Sequence, residues 1–293
     1  SNGFCITEKN GYTDGTFAHE LGHSLGLLAD EYAYDAQADQ SDEIEGPNTA
    51  LVKRLTDVND IKWHQLLDFR RIFVLKKTSG FLYIPGISCQ MENKVGQPCE
   101  VCRLQLIKRF SDIYQVGQPN DLYAALPELT MVKNGIDFSQ TDSHSFGVLW
   151  ADHNNRLIFN RSSFYLNEIN GKEIQMRTIV QNLSKTETKR VKLKLEVLQA
   201  DGSPTGVSAE KEFEILPRTL KTDWSKSYET KEEFDSGLAN CVMTIQVPND
   251  AVTDEDTLKF SVVDLETNEV LADETTENQA YAKVTVKYQT ESG

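Results

Sequence analysis

The hydrophobic period of this 293-residue chain changes once along its length, which restricts it to two kinds of architecture in series. Up to about residue 130 the apolar residues recur three and four apart, the spacing of one helix face, in segments 16–28, 60–71 and 99–113. Tyr83-Ile84-Pro85-Gly86-Ile87-Ser88 is turn-rich and separates the second segment from the third. From about residue 145 the period is two. Segments 146–150, 156–159, 173–182, 190–198, 211–216, 241–247, 258–264 and 280–288 read as strands. Ile174, Met176, Thr178 and Val180 alternate with polar neighbours, as do Val191, Leu193, Leu195 and Val197. Turn signals such as Asp201-Gly202-Ser203-Pro204 and Pro248-Asn249-Asp250 lie between strands. Short strands at this spacing predict an antiparallel, Ig-like β-sandwich. Lys133-Asn134-Gly135 and the polar run 139–145 read as the linker. The expectation is therefore a multidomain α+β chain, with one domain over 1–135 and a second over 136–293.

The helical half contains the densest chemical signal, Thr16-Phe17-Ala18-His19-Glu20-Leu21-Gly22-His23-Ser24-Leu25-Gly26-Leu27-Leu28-Ala29-Asp30-Glu31-Tyr32. Positions four apart lie on one face of a helix, so the imidazoles of His19 and His23 can reach a single ion. Zinc suits them, because it takes imidazole nitrogen and tolerates an open position for water. Glu20, beside the first ligand, has the chemistry to take a proton from that water and pass it to a leaving amine. Phe17, Ala18, Leu21, Leu25 and Leu27 predict a largely buried helix, in which two imidazoles and a carboxylate need partners for their polar groups. Gly26 is placed to end the helix and turn the chain back toward the metal. The His-Glu-x-x-His-x-x-Gly run matches the first part of the metzincin pattern, but Ala29 stands where that pattern has its last histidine. Asp30 is the first choice for the third ligand and Glu31 the second, ahead of the more distant His64, Asp112 and Glu100. His144 and His153 fall in or after the linker.

His-Glu-x-Gly-His-Ser-x-Gly-x-Leu-Ala-Asp-Glu-Tyr resembles the signature of the IgA peptidase family, a metzincin-like group of bacterial zinc endopeptidases. Gly46-Pro47-Asn48-Thr49 and Lys62-Trp63 resemble that family's Pro-Asn and Lys-Trp segments. Cys89-Gln90-Met91, followed by Cys99-x-x-Cys102 and a helix, resembles its methionine segment and cysteine pair. The resemblance covers roughly residues 15–115. It implies a metzincin-like catalytic domain, zinc as cofactor, a protein or peptide substrate, and a bacterial protein that is secreted, periplasmic or displayed at the cell surface. It also makes Met91 the residue beneath the metal ligands. Metzincins place a twisted sheet before the active-site helix, and the 18 residues before His19 are too few for it. The expectation is that this chain carries the later part of such a domain. Tyr32 is a candidate for orienting a ligand through its hydroxyl, and Tyr83 for a donor near the site; packing is the plainer role for both.

Composition removes other classes. With 30 basic and 45 acidic residues, a net charge of −15, the chain lacks the basic footprint of a nucleic-acid binder. No apolar run approaches the roughly 20 residues that span a bilayer. Five cysteines, Cys5, Cys89, Cys99, Cys102 and Cys241, cannot all pair within the chain. Cys99-Glu100-Val101-Cys102 has no second close pair to build a four-thiolate zinc site, and reads as a structural loop. Two function classes remain besides a minor redox reading of that motif. The first is a zinc endopeptidase in which Glu20 assists attack by a zinc-bound water and the sandwich binds a glycan or protein. The second is a surface adhesion protein with a non-catalytic zinc domain.

Overall fold

The structure, a computed structural model, describes residues 14–31, 45–52, 55–69, 72–76, 82–86, 89–93, 97–114, 121–132, 156–159, 163–165, 171, 173–219, 230–249, 256–273 and 284–287. The chain divides into two compact units. One combines Ser1–Asp121 with Gln181–Glu187 and Leu216–Ala239; the other takes Leu122–Val180, Thr188–Ile215 and Asn240–Gly293. Two later segments of the chain thus belong to the first unit.

The first unit opens on helix α1 (Asp14–Gly26). Its burial is narrower than the apolar count predicts: His19, Gly22 and Gly26 are buried, but Phe17 is 45% exposed and the other residues from Gly15 onward are half-buried. Leu27, and not Gly26, makes the turn that ends α1, with φ +54° in the left-handed region. The Leu28 amide then reaches back to the Gly22 carbonyl at 3.2 Å and closes the end of the helix. Gly26, the last residue of α1, is a glycine because a Cβ there would come within 2.9 Å of both Leu106 and Leu28.

Strands β1 (Ala50–Leu51), β2 (Leu75–Lys76) and β3 (Leu82–Ile84) form a small antiparallel sheet in the order β1-β3-β2. The helix expected over 60–71 is replaced by short 3-10 turns at Val58–Asp60 and His64–Leu66. Its buried residues, Ile61, Trp63, Leu66, Phe69 and Ile72, recur every two or three positions, closer to three residues per turn than to 3.6. Asp68, at φ +64°, puts a left-handed residue inside this run.

Helix α2 (Gln90–Asn93) is a single turn, and α3 (Glu100–Tyr114) is the long helix expected after the cysteine pair. Val101, Cys102, Leu104 and Gln105 of α3 are buried. The Leu216–Ala239 segment fastens to this helix. Buried Arg218 forms a bidentate ion pair with Asp112. Lys108 donates to the carbonyls of Glu233 and Phe234 at 3.3 and 3.5 Å, in a short helix α4 (Lys231–Asp235) capped by Thr230 and Glu233.

The second unit is mostly sheet. Its strands are β4 (Leu122–Ala124), β5 (Glu128–Val132), β6 (Arg156–Phe159), β7 (Ser163–Tyr165), β8 (Glu173–Asn182) and β9 (Lys189–Leu198). They continue with β10 (Pro204–Ile215), β11 (Leu238–Gln246), β12 (Thr257–Asp264), β13 (Val270–Asp273) and β14 (Val284–Lys287). One sheet runs β11-β8-β5-β6 with β4 added on β8; the other runs β10-β9-β12-β14-β7 with β13 added on β12. β9 pairs antiparallel with β10 and β12, and β5 with β6 and β8, while β14 and β7 pair in parallel. Val191, Leu193, Leu195 and Val197 bury one face of β9, each worth about 1.5–3 kcal/mol, as the alternation predicts. β10 ends its sheet, and Glu210, Lys211, Glu212 and Glu214 load this edge with charge against pairing with another chain. The expected strand at 146–150 and the expected linker at 133–135 and 139–145 lie outside the described residues; β5 ends at Val132, directly before them.

Candidate metal centre

Three side chains from α1 and the turn after it converge. His19 Nε2 and His23 Nε2 lie 3.1 Å apart, and Asp30 Oδ1 is 3.1 Å from the first and 3.2 Å from the second. The helix supplies the pair by its four-residue spacing, and the left-handed turn at Leu27 brings Asp30 back to meet them. Each imidazole is fixed by its other nitrogen. His19 Nδ1 lies 3.0 Å from the Gln90 carbonyl, and His23 Nδ1 lies 2.7 Å from the Leu28 carbonyl. A carbonyl only accepts, so both Nδ1 atoms carry hydrogen, and in the neutral rings both Nε2 lone pairs point into the cluster.

Two lone pairs and a carboxylate oxygen facing one another need a positive charge between them. A tetrahedral ion with N and O ligands at about 2.0–2.1 Å separates any two of them by roughly 3.3–3.4 Å, close to the spacing here. The donor set therefore fits zinc. Asp30 holds the pKa of His23 above its ordinary value through a hydrogen bond, helped by the Leu28 carbonyl and the charges of Asp30 and Glu20 and opposed by burial. A proton and a metal ion thus compete for the same nitrogen. Glu20 follows His19 directly on α1 and is half-buried.

The frame around the cluster is built from segments far apart in sequence. The Asn48 side chain accepts from the Ala29 amide at 2.8 Å and donates to the Ala29 carbonyl at 2.9 Å and to Glu31 Oε1 at 2.8 Å. Gly46 is a glycine because a Cβ would lie 2.6 Å from the Ala29 Cβ and 2.7 Å from its amide nitrogen. Buried Lys62 ties this segment down through the Gly46 carbonyl at 2.9 Å and Glu45 at 3.0 Å. Trp63, fully buried, donates to the Phe73 carbonyl at 2.7 Å. Met91 lies beneath the turn of α1 that carries both histidines, so close that a Cβ on Gly22 would sit 2.6 Å from its sulfur. The roles of Asn48 and of the Gln90 carbonyl carry no periodic signal in the sequence.

Glu31, the second choice for third ligand, turns away from the histidines and joins Cys89, Cys99 and Cys102. Burial pushes its carboxyl well above the usual carboxylate range. Hydrogen bonds from Cys102 and Cys99 hold the Cys89 thiol down at about 3, while burial drives Cys99 and Cys102 up. Asp112 is engaged by Arg218, His64 lies 3.8 Å from Asp235, and Glu100 is buried at the start of α3; none of the three joins the histidine cluster. Tyr83 is half-buried in β3, opposite Ala50 and Lys76. Tyr32, His144, His153 and Cys5 lie outside the described residues. Cys241 is buried in β11, its thiol pushed up to about 12 by burial.

Residues 4–72 match a family profile described as IgA peptidase M64, a metallopeptidase family. The match takes in His19, Glu20, His23 and Asp30 and points to a peptidase over this short stretch. No curated protein matches the chain. Among solved structures, a bacterial adhesin from Mobiluncus mulieris is 13% identical at a TM-score of 0.27, over 44% of this chain and 54% of that one. A glycosyl hydrolase family 2 member from Bacteroides cellulosilyticus is 8% identical at 0.24, over 41% of this chain and 13% of that one. The DNA glycosylase AlkC of Pseudomonas fluorescens is 9% identical at 0.25, over 64% and 37%. The chain thus spans about half of the adhesin and far less of the hydrolase, and at these scores the likeness carries no argument.

Proposed function

We propose that this chain carries the metal site of a zinc endopeptidase that hydrolyses peptide bonds of proteins outside the cell or in the periplasm. His19, His23 and Asp30 hold the ion and Glu20 is the general base. The observation that carries the reading is the mutual 3.1–3.2 Å spacing of three ligand atoms whose imidazoles are already oriented by backbone carbonyls. The match of residues 4–72 to a peptidase family supports it. The second unit, with its two β-sheets, is read as an Ig-like sandwich that binds a protein or glycan. Among the described residues no helix is long and apolar enough to cross a membrane.

Bound zinc would supply Lewis acidity, polarising the scissile carbonyl and making water acidic enough to attack at neutral pH. The chain's own groups do the rest. The Gln90 and Leu28 carbonyls hold the imidazoles in the tautomer that leaves Nε2 free to bind metal, and hold the ring planes against rotation. Asp30 brings a negative charge to the same point. Glu20, on the same helix and only half-buried, takes a proton on its carboxylate from the attacking water and returns it to the leaving amine. A general base contributes about 10²–10⁴-fold in rate, so Glu20→Gln should bind zinc as the parent does and lose at least about two orders of magnitude of cleavage. The measurement is zinc content beside proteolysis of an unfolded protein, with and without chelator. Full activity in Glu20→Gln, or chelator-insensitive cleavage, would end this reading.

A further inference from the structure

We propose a second metal site in the first unit, in which Cys89, Cys99, Cys102 and Glu31 together hold one divalent ion of the thiolate-preferring zinc class. It shares no ligand with the histidine cluster. The four donor atoms lie within 4.8 Å of one another. Cys89 and Cys102 sulfurs are 3.6 Å apart, and Cys102 Sγ is 3.1 Å from Glu31 Oε1. Zinc–sulfur bonds of about 2.3 Å put two thiolates roughly 3.8 Å apart on a tetrahedron, and a thiolate and carboxylate roughly 3.6 Å apart.

The site gathers four groups that become anions on losing a proton, away from water. Glu31 is fully buried, and its Oε2 has no hydrogen-bond partner among the described residues. Cys89 and Cys102 are buried at 1% and 0% exposure. The amides of Met91 and Cys99 point at Cys89 Sγ at 3.5 and 3.4 Å, the arrangement that stabilises a thiolate. Cys99 caps α3, its carbonyl accepting from the Arg103 amide at 2.9 Å, and Cys102 lies in the first turn, where the helix dipole favours anions. Three thiolates and a carboxylate around a divalent ion carry the same net charge as the familiar four-thiolate zinc site. On binding, each of the four donor groups that still carries a proton gives it to solvent and no atom changes oxidation state. A disulfide would consume two of the three sulfurs and leave the third and the Glu31 carboxylate buried without a cation.

This ion positions the first site without touching the reaction. Glu31 is the chain neighbour of Asp30, and its amide donates to the Met91 carbonyl at 2.9 Å. Cys89 precedes Gln90, whose carbonyl holds His19. One ion would therefore pin the turn after α1, the 89–91 segment and the start of α3 to one another.

The test is cobalt(II) titration of the intact chain. Two equivalents should bind, one of them with the near-ultraviolet sulfur-to-cobalt charge-transfer band that nitrogen and oxygen ligands do not give. His19→Ala should bind one equivalent and keep the band; Cys99→Ser with Cys102→Ser should lose the band. The wild-type and His19→Ala spectra stand even if the cysteine variant does not fold. A cobalt complex without the thiolate band, or a Cys89–Cys102 disulfide in the metal-loaded protein by unreduced peptide mapping, would overturn the site. Retention of the band in a protein with no protease activity would leave this site standing and remove the proposed function alone.

Discussion

Asn48 ties the turn after α1 to a distant segment of the first unit, so Asn48→Ala measures how far that frame sets the metal centre. The substitution removes two bonds to the Ala29 backbone and one to Glu31 Oε1. Each is worth about 0.5–1.5 kcal/mol net, and the buried Ala29 amide and carbonyl also lose their partner, so the expected loss is about 2–4 kcal/mol. Groups that orient metal ligands change metal affinity by about 10–100-fold when removed, and Asn48→Ala should fall in that range. Asn48→Asp adds a sharper arm. It keeps an acceptor for the Ala29 amide but sets a second carboxylate against buried Glu31. Its folded pKa is then raised above the unfolded value, so the penalty relative to Ala is greatest above the folded pKa and fades as pH falls through it. Urea unfolding with an unchanged m-value, with and without zinc, reads the stability, and a competing chromophoric chelator reads the affinity. A loss under about 0.5 kcal/mol with unchanged affinity would refute the reasoning, because the three bonds would then be worth no more than an ordinary surface substitution.

Other substitutions and pH test neighbouring links. Asp30→Ala should weaken the metal bound by the histidines more than Glu31→Ala does; isothermal titration on each variant gives the ranking, and the reverse order would move the third ligand to Glu31. Gly46→Ala forces a Cβ against the Ala29 backbone at 2.7 Å, which cannot swing aside, so about 1–3 kcal/mol of stability should be lost in a denaturant series. In the metal-free protein the raised pKa of His23 contributes stability that is present in full below about pH 6.5 and is lost as pH rises through the folded value. Zinc must displace that proton, so its apparent affinity should fall by at least about tenfold for each pH unit below the raised pKa. Chelator competition between pH 8 and pH 6 checks this, and a flat profile would show that His23 is not a ligand.

How much of this was legible depends on whether a contact leaves a period in the chain. The histidine pair was readable because four residues of helix put both rings on one side, and α1 and α3 follow the 3.6-residue pattern. β8, β9 and β12 were readable because alternation over eight to ten residues has few other solutions. Short strands such as β4, β7 and β13 hold three or four residues, too few for a period to declare itself, and their pairing is decided by neighbours. The 60–71 segment failed for a different reason: its apolar residues are as frequent as a helix needs, but their spacing suits three residues per turn.

The same distinction separates the two clusters in the first unit. His19, His23 and Asp30 span twelve residues of one helix and its exit, so local geometry nearly assembles them alone. The thiol cluster draws Glu31 from 71 positions before Cys102, and a search for a second cysteine pair passes over it because the fourth donor is a carboxylate. The adjacent acids Asp30 and Glu31 look interchangeable as letters. They diverge because the left-handed turn at Leu27 and the clamp on Ala29 fix the backbone between them and the helix, sending one carboxylate to the imidazoles and the next to the sulfurs. A one-residue slip in that turn would put Glu31 in the place of Asp30, or Asp30 in the place of Glu31, and leave the other cluster short of its acid. For that reason Leu27, Ala29 and Asn48, which carry no metal-binding chemistry, decide which acid serves which cluster.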